Sequence, residues 1–188
     1  MEVERLYQQW DVALDWAPFF LDPSIPPEGR ARTRQTATDT PQSPLEARGE
    51  SLGVEFRRGR TFTPHTLLAL QAGEFARQHG TTEQVIAYHR ALFKAYFTDF
   101  EDLMDAEVLV RHAVGAGLDG AALRVALEQE THLQETLAGI ERSYEIGVTG
   151  IPTFILNDQY AVVGAQDYAT FEQVFERLGA RRREGPST

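Results

Sequence analysis

The chain has 188 residues, of which 42% are hydrophobic, so it is long enough for one domain, or one domain carrying an insertion, around a substantial core. Its formal net charge of −10 argues against nucleic acid and anionic membranes as partners, because an acidic surface repels both. The absence of cysteine excludes disulfide bonds, thiolate zinc sites, cysteine nucleophiles and any CxxC redox pair in this sequence.

The sequence also argues against a membrane or an export route. No apolar run approaches the roughly 20 residues that a membrane-spanning helix needs. The first five residues, Met1–Arg5, are not followed by the apolar segment of a secretory signal. We therefore predict a cytoplasmic location.

The N-terminal part predicts a helix followed by a strand. Apolar residues at helical spacing predict a helix over residues 2–10, and alternating apolar residues predict a strand over residues 12–20. Pro18 places the end of that strand at a sheet edge or a bulge. Residues 30–44 have almost no apolar content and predict an exposed loop, and residues 45–53 predict a short helix.

Helical periodicity dominates the middle of the chain. Thr63 and Pro64 are typical of a helix start, and further helices are predicted over residues 82–98, 105–115, 119–127 and 131–146. His89 and His112 fall on apolar helix faces, which favours buried core histidines over ligands or bases. His65 falls in the first turn of the first helix, and we assign it to a candidate binding cleft.

The C-terminal part predicts a hairpin and a final helix. Residues 153–156 and 160–163 predict two strands, and the residues between them predict a turn. Asp167 is the predicted N-cap of a helix that ends at Gly179. The order of elements therefore places a helical block inside an α/β frame.

Pro152 opens the first strand of the hairpin. Proline lacks an N–H donor and suits the first residue of a strand, and X-Pro bonds adopt the cis form more readily than others. From the residues alone, an ordinary loop-to-strand junction is favoured. A cis Pro152 would leave the backbone of Ile151 facing outward, where it can pair with an extended peptide.

Motifs for metal, nucleotide and hydrolase chemistry are absent. No histidine pair has the spacing of a zinc-protease motif, and the acidic residues between 99 and 107 lack the glycine of a calcium loop. The sequence contains no GxGxxG, GxxxxGK[ST] or GxSxG motif. We therefore assign no metal site and no catalytic residue.

Four stretches carry a resemblance to a known family: residues 16–23, 90–97, 147–154 and 160–166. In these stretches and in the order of its elements, the chain resembles the DsbA-like thioredoxin-fold proteins, and most closely the FrnE-type dithiol–disulfide isomerase branch. The resemblance implies an α/β, thioredoxin-like fold with an inserted all-helical domain. It also implies that Pro152 is the cis-proline beside the active site.

The resemblance also implies a domain plan and a binding site. Residues 1–62 form the first, incomplete part of the thioredoxin-like domain with a loop, residues 63–146 the helical insertion, and residues 147–179 the second part. Residues 180–188 are expected to be a disordered tail. The implied substrate-binding residues are Gly150, Ile151, Pro152 and Thr153, to which we add His65. The implied partner is a peptide or a small thiol; no cofactor is assigned, although glutathione is a candidate ligand.

The chain departs from the family at its start, where the first strand and the CxxC turn are missing. Two functional hypotheses follow: a thiol–disulfide oxidoreductase family member that is inactive as written, or a non-catalytic module that binds a peptide or glutathione. The missing strand lies centrally in the family's sheet. We therefore expect another segment or a second chain of a homo-oligomer to fill its place, or the two flanking strands to pair directly.

Overall fold

The computed structural model describes residues 2–34 and 40–183. The chain divides into two compact units. Unit one consists of Met1–Trp16 and Arg142–Thr188, and unit two of Ala17–Glu141. Within the described residues, no helix is long and apolar enough to cross a membrane.

Unit one contains a β-hairpin and two helices around a small aromatic core. Its elements are α1 (Glu2–Gln9), the end of α7 (Leu133–Glu145), β3 (Thr153–Leu156), β4 (Tyr160–Val163) and α8 (Tyr168–Arg177). Five side chains form the buried cluster: Leu6, Trp10, Tyr168, Phe171 and Phe175. Phe154 of β3 meets Phe171 edge-on, with ring centroids 4.8 Å apart, so the hairpin packs on α8 through aromatic contacts.

The hairpin confirms the predicted strands and turn. The amide N–H of Gln159 donates to the carbonyl oxygen of Leu156 at 3.1 Å, which closes the turn. Asn157 and Asp158 both have positive φ, 52° and 53°, as the central residues of a type I′ turn require, and Gln159 completes the three-residue connection. Short polar side chains tolerate this conformation better than most, so the local sequence specifies the turn.

The predicted strand over residues 12–20 is wrong. Residues 11–20 form no strand, although Trp10 makes an isolated antiparallel bridge to Arg182. The N–H of Val12 donates to the carbonyl oxygen of Trp10, a local bond that uses a donor a sheet would need. Among the described residues, β3 pairs only with β4, so the expected direct pairing of residues 12–20 with β3 is not found.

Arg181–Arg183 continue the fold of unit one, whereas the sequence predicted a disordered tail from residue 180. The N–H of Asp11 donates to the carbonyl oxygen of Arg181, and the N–H of Arg183 donates to that of Gln9. The Arg182 guanidinium lies 4.6 Å from the Trp10 ring centroid. Residues 184–188 lie outside the described residues.

Unit two is mainly helical. Its helices are α2 (Pro44–Ser51), α3 (Leu67–His79), α4 (Thr82–Lys94), α5 (Ala106–Gly115), α6 (Gly120–Glu128) and the first part of α7. A single π-helical turn, Ala95–Asp99, follows α4 directly. Tyr88, Leu109 and Leu123 are fully buried. Asp105 and Asp119 cap α5 and α6 through their side chains, which confirms the predicted start of both helices.

Unit two also contains a short ribbon that the sequence did not predict. β1 (Arg30–Ala31) pairs antiparallel with β2 (Phe62–Thr63), so part of the predicted loop over residues 30–44 is a strand. Thr63 consequently belongs to β2 and α3 begins at Leu67, which corrects the predicted helix start at Thr63. Residues 35–39 of that loop lie outside the described residues.

The observed units place the boundaries differently from the predicted domains. Residues 17–62 group with the helices of unit two, whereas the sequence assigned them to the thioredoxin-like part. The second boundary falls at Arg142, inside α7, rather than after residue 146. The predicted order, a helical segment between two parts of an α/β frame, is confirmed.

Candidate functional site

The candidate site begins where α7 ends. Gly147 has φ +84°, a conformation that favours glycine. The N–H of Gly147 donates to the carbonyl oxygen of Tyr144, and the N–H of Val148 donates to the carbonyl oxygen of Ser143 at 3.0 Å. These two bonds form a Schellman motif, which ends the helix and turns the chain toward β3.

Ile151 and Pro152 are joined by a cis peptide bond, as the family resemblance implied. The Thr153 hydroxyl donates to the carbonyl oxygen of Gly150 at 2.7 Å, which closes a tight loop around the bond. The N–H of Gly164 donates to the carbonyl oxygen of Pro152 at 2.8 Å and so extends the hairpin by one residue pair. Gly150, Ile151, Pro152 and Thr153 therefore form one continuous loop and strand start.

The register of the hairpin determines which backbone groups face away from β4. Pro152 and Gly164 are a hydrogen-bonded pair, and antiparallel pairs alternate between hydrogen-bonded and non-hydrogen-bonded. Thr153 and Ile155 consequently occupy non-hydrogen-bonded positions, with their N–H and C=O groups directed to the outer edge of β3. Within residues 2–34 and 40–183, β3 has no strand neighbour other than β4.

Exposed apolar side chains accompany this edge. Ile151 is 56% exposed and Ile155 is 43% exposed, although large aliphatic side chains are usually buried. A row of unpaired N–H and C=O groups beside exposed aliphatic side chains is a template for an added strand. Ile155 was not among the site residues predicted from the sequence, because its place on the outer edge depends on the register of the hairpin.

His65 belongs to unit two, whereas Gly150–Thr153 belong to unit one. Its backbone N–H donates to the sulfur of Met104 at 3.3 Å, and its ring lies 5.3 Å from that of Phe20. It precedes α3 rather than lying in the first helical turn. Because these residues belong to different units, the assignment of His65 to the site stays a prediction.

The other histidines have structural surroundings. Burial lowers the pKa of His89 from 6.5 to about 4, which agrees with a neutral core histidine. The Nε2 of His112 lies 2.9 Å from a carboxylate oxygen of Glu101, so this half-buried histidine has a polar partner and is not enclosed by apolar side chains alone. Among the described residues, no group of three or more His, Cys, Asp or Glu side chains is arranged to hold a metal ion.

A helical segment between two parts of an α/β frame, with a cis-proline before the hairpin, defines a protein of the thioredoxin-fold class. Residues 1–176 match the family model of the DSBA-like thioredoxin domain. The chain therefore belongs to the DsbA-like thioredoxin family. The predicted fold class, thioredoxin-like with an inserted helical segment, is confirmed.

Known proteins are similar to this chain over most of its length. YwbO of Bacillus subtilis (strain 168) is 30% identical over 165 residues, which cover 87% of this chain and 80% of YwbO. A "probable DsbA oxidoreductase" from Streptomyces coelicolor is 28% identical with a TM-score of 0.61, covering 77% of this chain. The present chain spans 60% of the length of that Streptomyces protein. A "putative protein disulfide isomerase" from Nitrosomonas europaea shares the fold at 19% identity, with a TM-score of 0.57 and coverage of 75% and 77% of the two chains.

Proposed function

We propose that this chain binds an extended peptide as an added strand along the outer edge of β3. The observation that carries the proposal is the unpaired edge at Thr153 and Ile155, directly after the Ile151–Pro152 bond. Strand addition gains affinity from main-chain hydrogen bonds and specificity from alternate side chains. The exposed side chains of Ile151 and Ile155 favour a peptide with apolar residues at every second position.

Within the family, we propose membership of the FrnE-type isomerase branch. The support is the resemblance of residues 147–154 and 160–166 to that branch. Thiol–disulfide exchange requires attack by a thiolate, and this sequence contains no cysteine. The proposed role of this chain is therefore binding without redox turnover, and we expect it not to reduce insulin disulfides in the presence of dithiothreitol above the rate of the reagent alone.

Two other ligands could occupy the same edge, and the experiments below distinguish them from a peptide. One is glutathione, a small thiol with a peptide backbone, and the other is a second copy of this chain that completes the sheet. A second copy predicts a dimer in analytical ultracentrifugation that dissociates when peptide is added. The cytoplasmic location stays a prediction.

The peptide proposal is tested by Ile155→Pro, with Val163→Pro as the matched control. Both residues have outward N–H groups that the hairpin does not use, but Ile155 lies on the β3 edge and Val163 on the β4 edge. Proline removes the N–H donor at either position. We expect Ile155→Pro to weaken binding of a labelled, cysteine-free, valine- and threonine-rich heptapeptide by about tenfold or more, measured by fluorescence anisotropy.

Val163→Pro is expected to leave the peptide affinity within about twofold of the wild type. Circular dichroism verifies that both variants keep the fold. Equal weakening by the two substitutions, or no measurable peptide binding by the wild type, would falsify the proposal. Binding of glutathione but not of the heptapeptide assigns the edge to a small thiol instead.

A further inference from the structure

Unit two carries an uncompensated cluster of positive charge. Four arginines have no carboxylate partner among the residues that the structure describes, and we call them the arginine cluster: Arg32, Arg34, Arg57 and Arg60. Their neighbours in sequence are paired, since Arg30 binds Asp22 at 3.0 Å and Arg58 binds Glu46 at 2.6 Å. The cluster stands out in a chain whose formal net charge is −10.

The β1–β2 ribbon brings the two pairs of arginines together. The N–H of Arg32 donates to the carbonyl oxygen of Thr61 at 2.8 Å, which extends the pairing of the strands beyond β1. Gly59 has φ +112°, and a Cβ atom there would lie 3.5 Å from the Nε of Arg34. Residues 32–34 therefore run alongside residues 59–61.

Arg60 is held on an aromatic platform. Its guanidinium carbon lies 3.7 Å from the ring centroid of Tyr96 and 5.8 Å from that of Phe97. Both rings belong to the π-helical turn Ala95–Asp99, a rare element that is frequent at functional sites. The stacking orients the guanidinium plane, so the ring contacts leave its edge to face a ligand.

Arg60 has no carboxylate partner within residues 2–34 and 40–183. Its Nε is buried without a hydrogen-bond partner among the described residues. Burial lowers the pKa of Arg60, and the positive charge of nearby Arg32 also lowers it, whereas the charge of Tyr96 and its hydrogen bond to Arg60 raise it. A partly buried cation with an unsatisfied donor and a like-charged neighbour is costly unless an anion compensates it.

We propose that Arg60 and Arg32 bind a compact dianion, namely the phosphate group of inorganic phosphate or of a phosphate monoester. Guanidinium groups donate pairs of parallel N–H bonds to phosphate oxygens, and the terminal nitrogens of Arg60 and Arg32 are the proposed donors. Arg57, whose guanidinium carbon lies 5.2 Å from the Phe100 ring centroid, adds positive charge nearby. None of these residues takes part in the proposed peptide edge.

Arg60→Lys and Arg32→Gln test the site, with inorganic phosphate, phenyl phosphate and acetate as probes. Arg60→Lys keeps the charge but removes Nε and the paired donors, so we expect phosphate affinity to fall by about tenfold in calorimetry. Arg32→Gln is expected to give a loss of similar size. In the wild type, the Nε–H resonance of Arg60 is expected to shift on phosphate titration, a measurement that needs no variant.

The matched control is Arg177→Gln, which removes the same charge from an exposed position on α8 of unit one. This variant is expected to keep the phosphate affinity of the wild type. If Arg177→Gln weakens phosphate binding as much as the variants of Arg60 and Arg32 do, the effect comes from net charge alone and the proposal is overturned. An unmoved Arg60 resonance, or acetate binding as tightly as phosphate, also overturns it. Tighter binding of phenyl phosphate than of inorganic phosphate assigns the site to a monoester, and equal binding assigns it to the free anion.

Discussion

Trp10→Ala is expected to lower the free energy of unfolding by about 3–5 kcal/mol, the range for removing a large aromatic side chain from a core. Trp10 is 2% exposed and meets Phe175 edge-on at a centroid distance of 5.3 Å. Its indole N–H donates to the hydroxyl of Tyr168 at 3.0 Å, so the substitution also removes a buried hydrogen bond. Urea unfolding followed by far-UV circular dichroism measures the effect.

Trp10→Phe separates the two contributions, because phenylalanine keeps an aromatic ring but lacks the indole N–H. We expect a smaller loss, about 1–3 kcal/mol, since the Tyr168 hydroxyl loses a donor. The control is Val163→Ala, because Val163 is 59% exposed and its truncation is expected to cost less than about 1 kcal/mol. A Trp10→Ala variant as stable as the control would show that unit one does not depend on this cluster.

Acidification from pH 7 to pH 4 is expected to destabilise the protein through His89. Burial lowers the pKa of His89 from 6.5 to about 4, so between these values the unfolded chain binds more protons than the folded one. Stability contributed by the neutral imidazole is therefore present above pH 6.5 and is lost as the pH falls toward 4. At 1.36 kcal/mol per unit of pKa, this lowering of the pKa corresponds to a loss of roughly 3 kcal/mol in the free energy of unfolding.

His89→Phe removes this titration while keeping an aromatic ring against Gly73, where a Cβ atom would lie 3.4 Å from the imidazole Cε1. Over the same pH range, the free energy of unfolding of the variant is expected to fall by about 3 kcal/mol less than that of the wild type. Urea unfolding at fixed ionic strength measures the difference. His79→Gln, at an exposed position on α3, is the control for replacing a histidine by an uncharged side chain. Parallel pH profiles for wild type and His89→Phe would contradict the prediction.

The helices and the hairpin were predictable because their signals are local. Asp105 and Asp119 cap their own helices, and the Asn157–Asp158 turn depends on the conformational tolerance of two residues. The short helix predicted over residues 45–53 is found as α2, where Ser43 and Glu46 form a capping box. The substrate-side loop at Gly150–Thr153 was predicted through the family resemblance, not through spacing.

The errors share one cause, since a strand exists only where a neighbour pairs with it. Residues 12–20 alternate as a strand does, yet no neighbour pairs with them among the described residues. Arg30–Ala31 show no strand pattern but pair with Phe62–Thr63 across 30 intervening residues. Arg181–Arg183 read as a tail, but their backbone bonds to Gln9 and Asp11 hold them in unit one.

The sequence by itself determined the helical periodicities, the turns, the family and the absence of any thiol, because each depends on residue identity or short-range spacing. Only the tertiary structure decided which backbone groups of β3 face outward and which arginines lack an acid. The outward direction of the β3 groups and the pairing of the arginines both depend on contacts between residues that are distant in sequence. Pro152 was visible from the start, but the open edge at Thr153 and Ile155 became a candidate binding site only once the hairpin register was known.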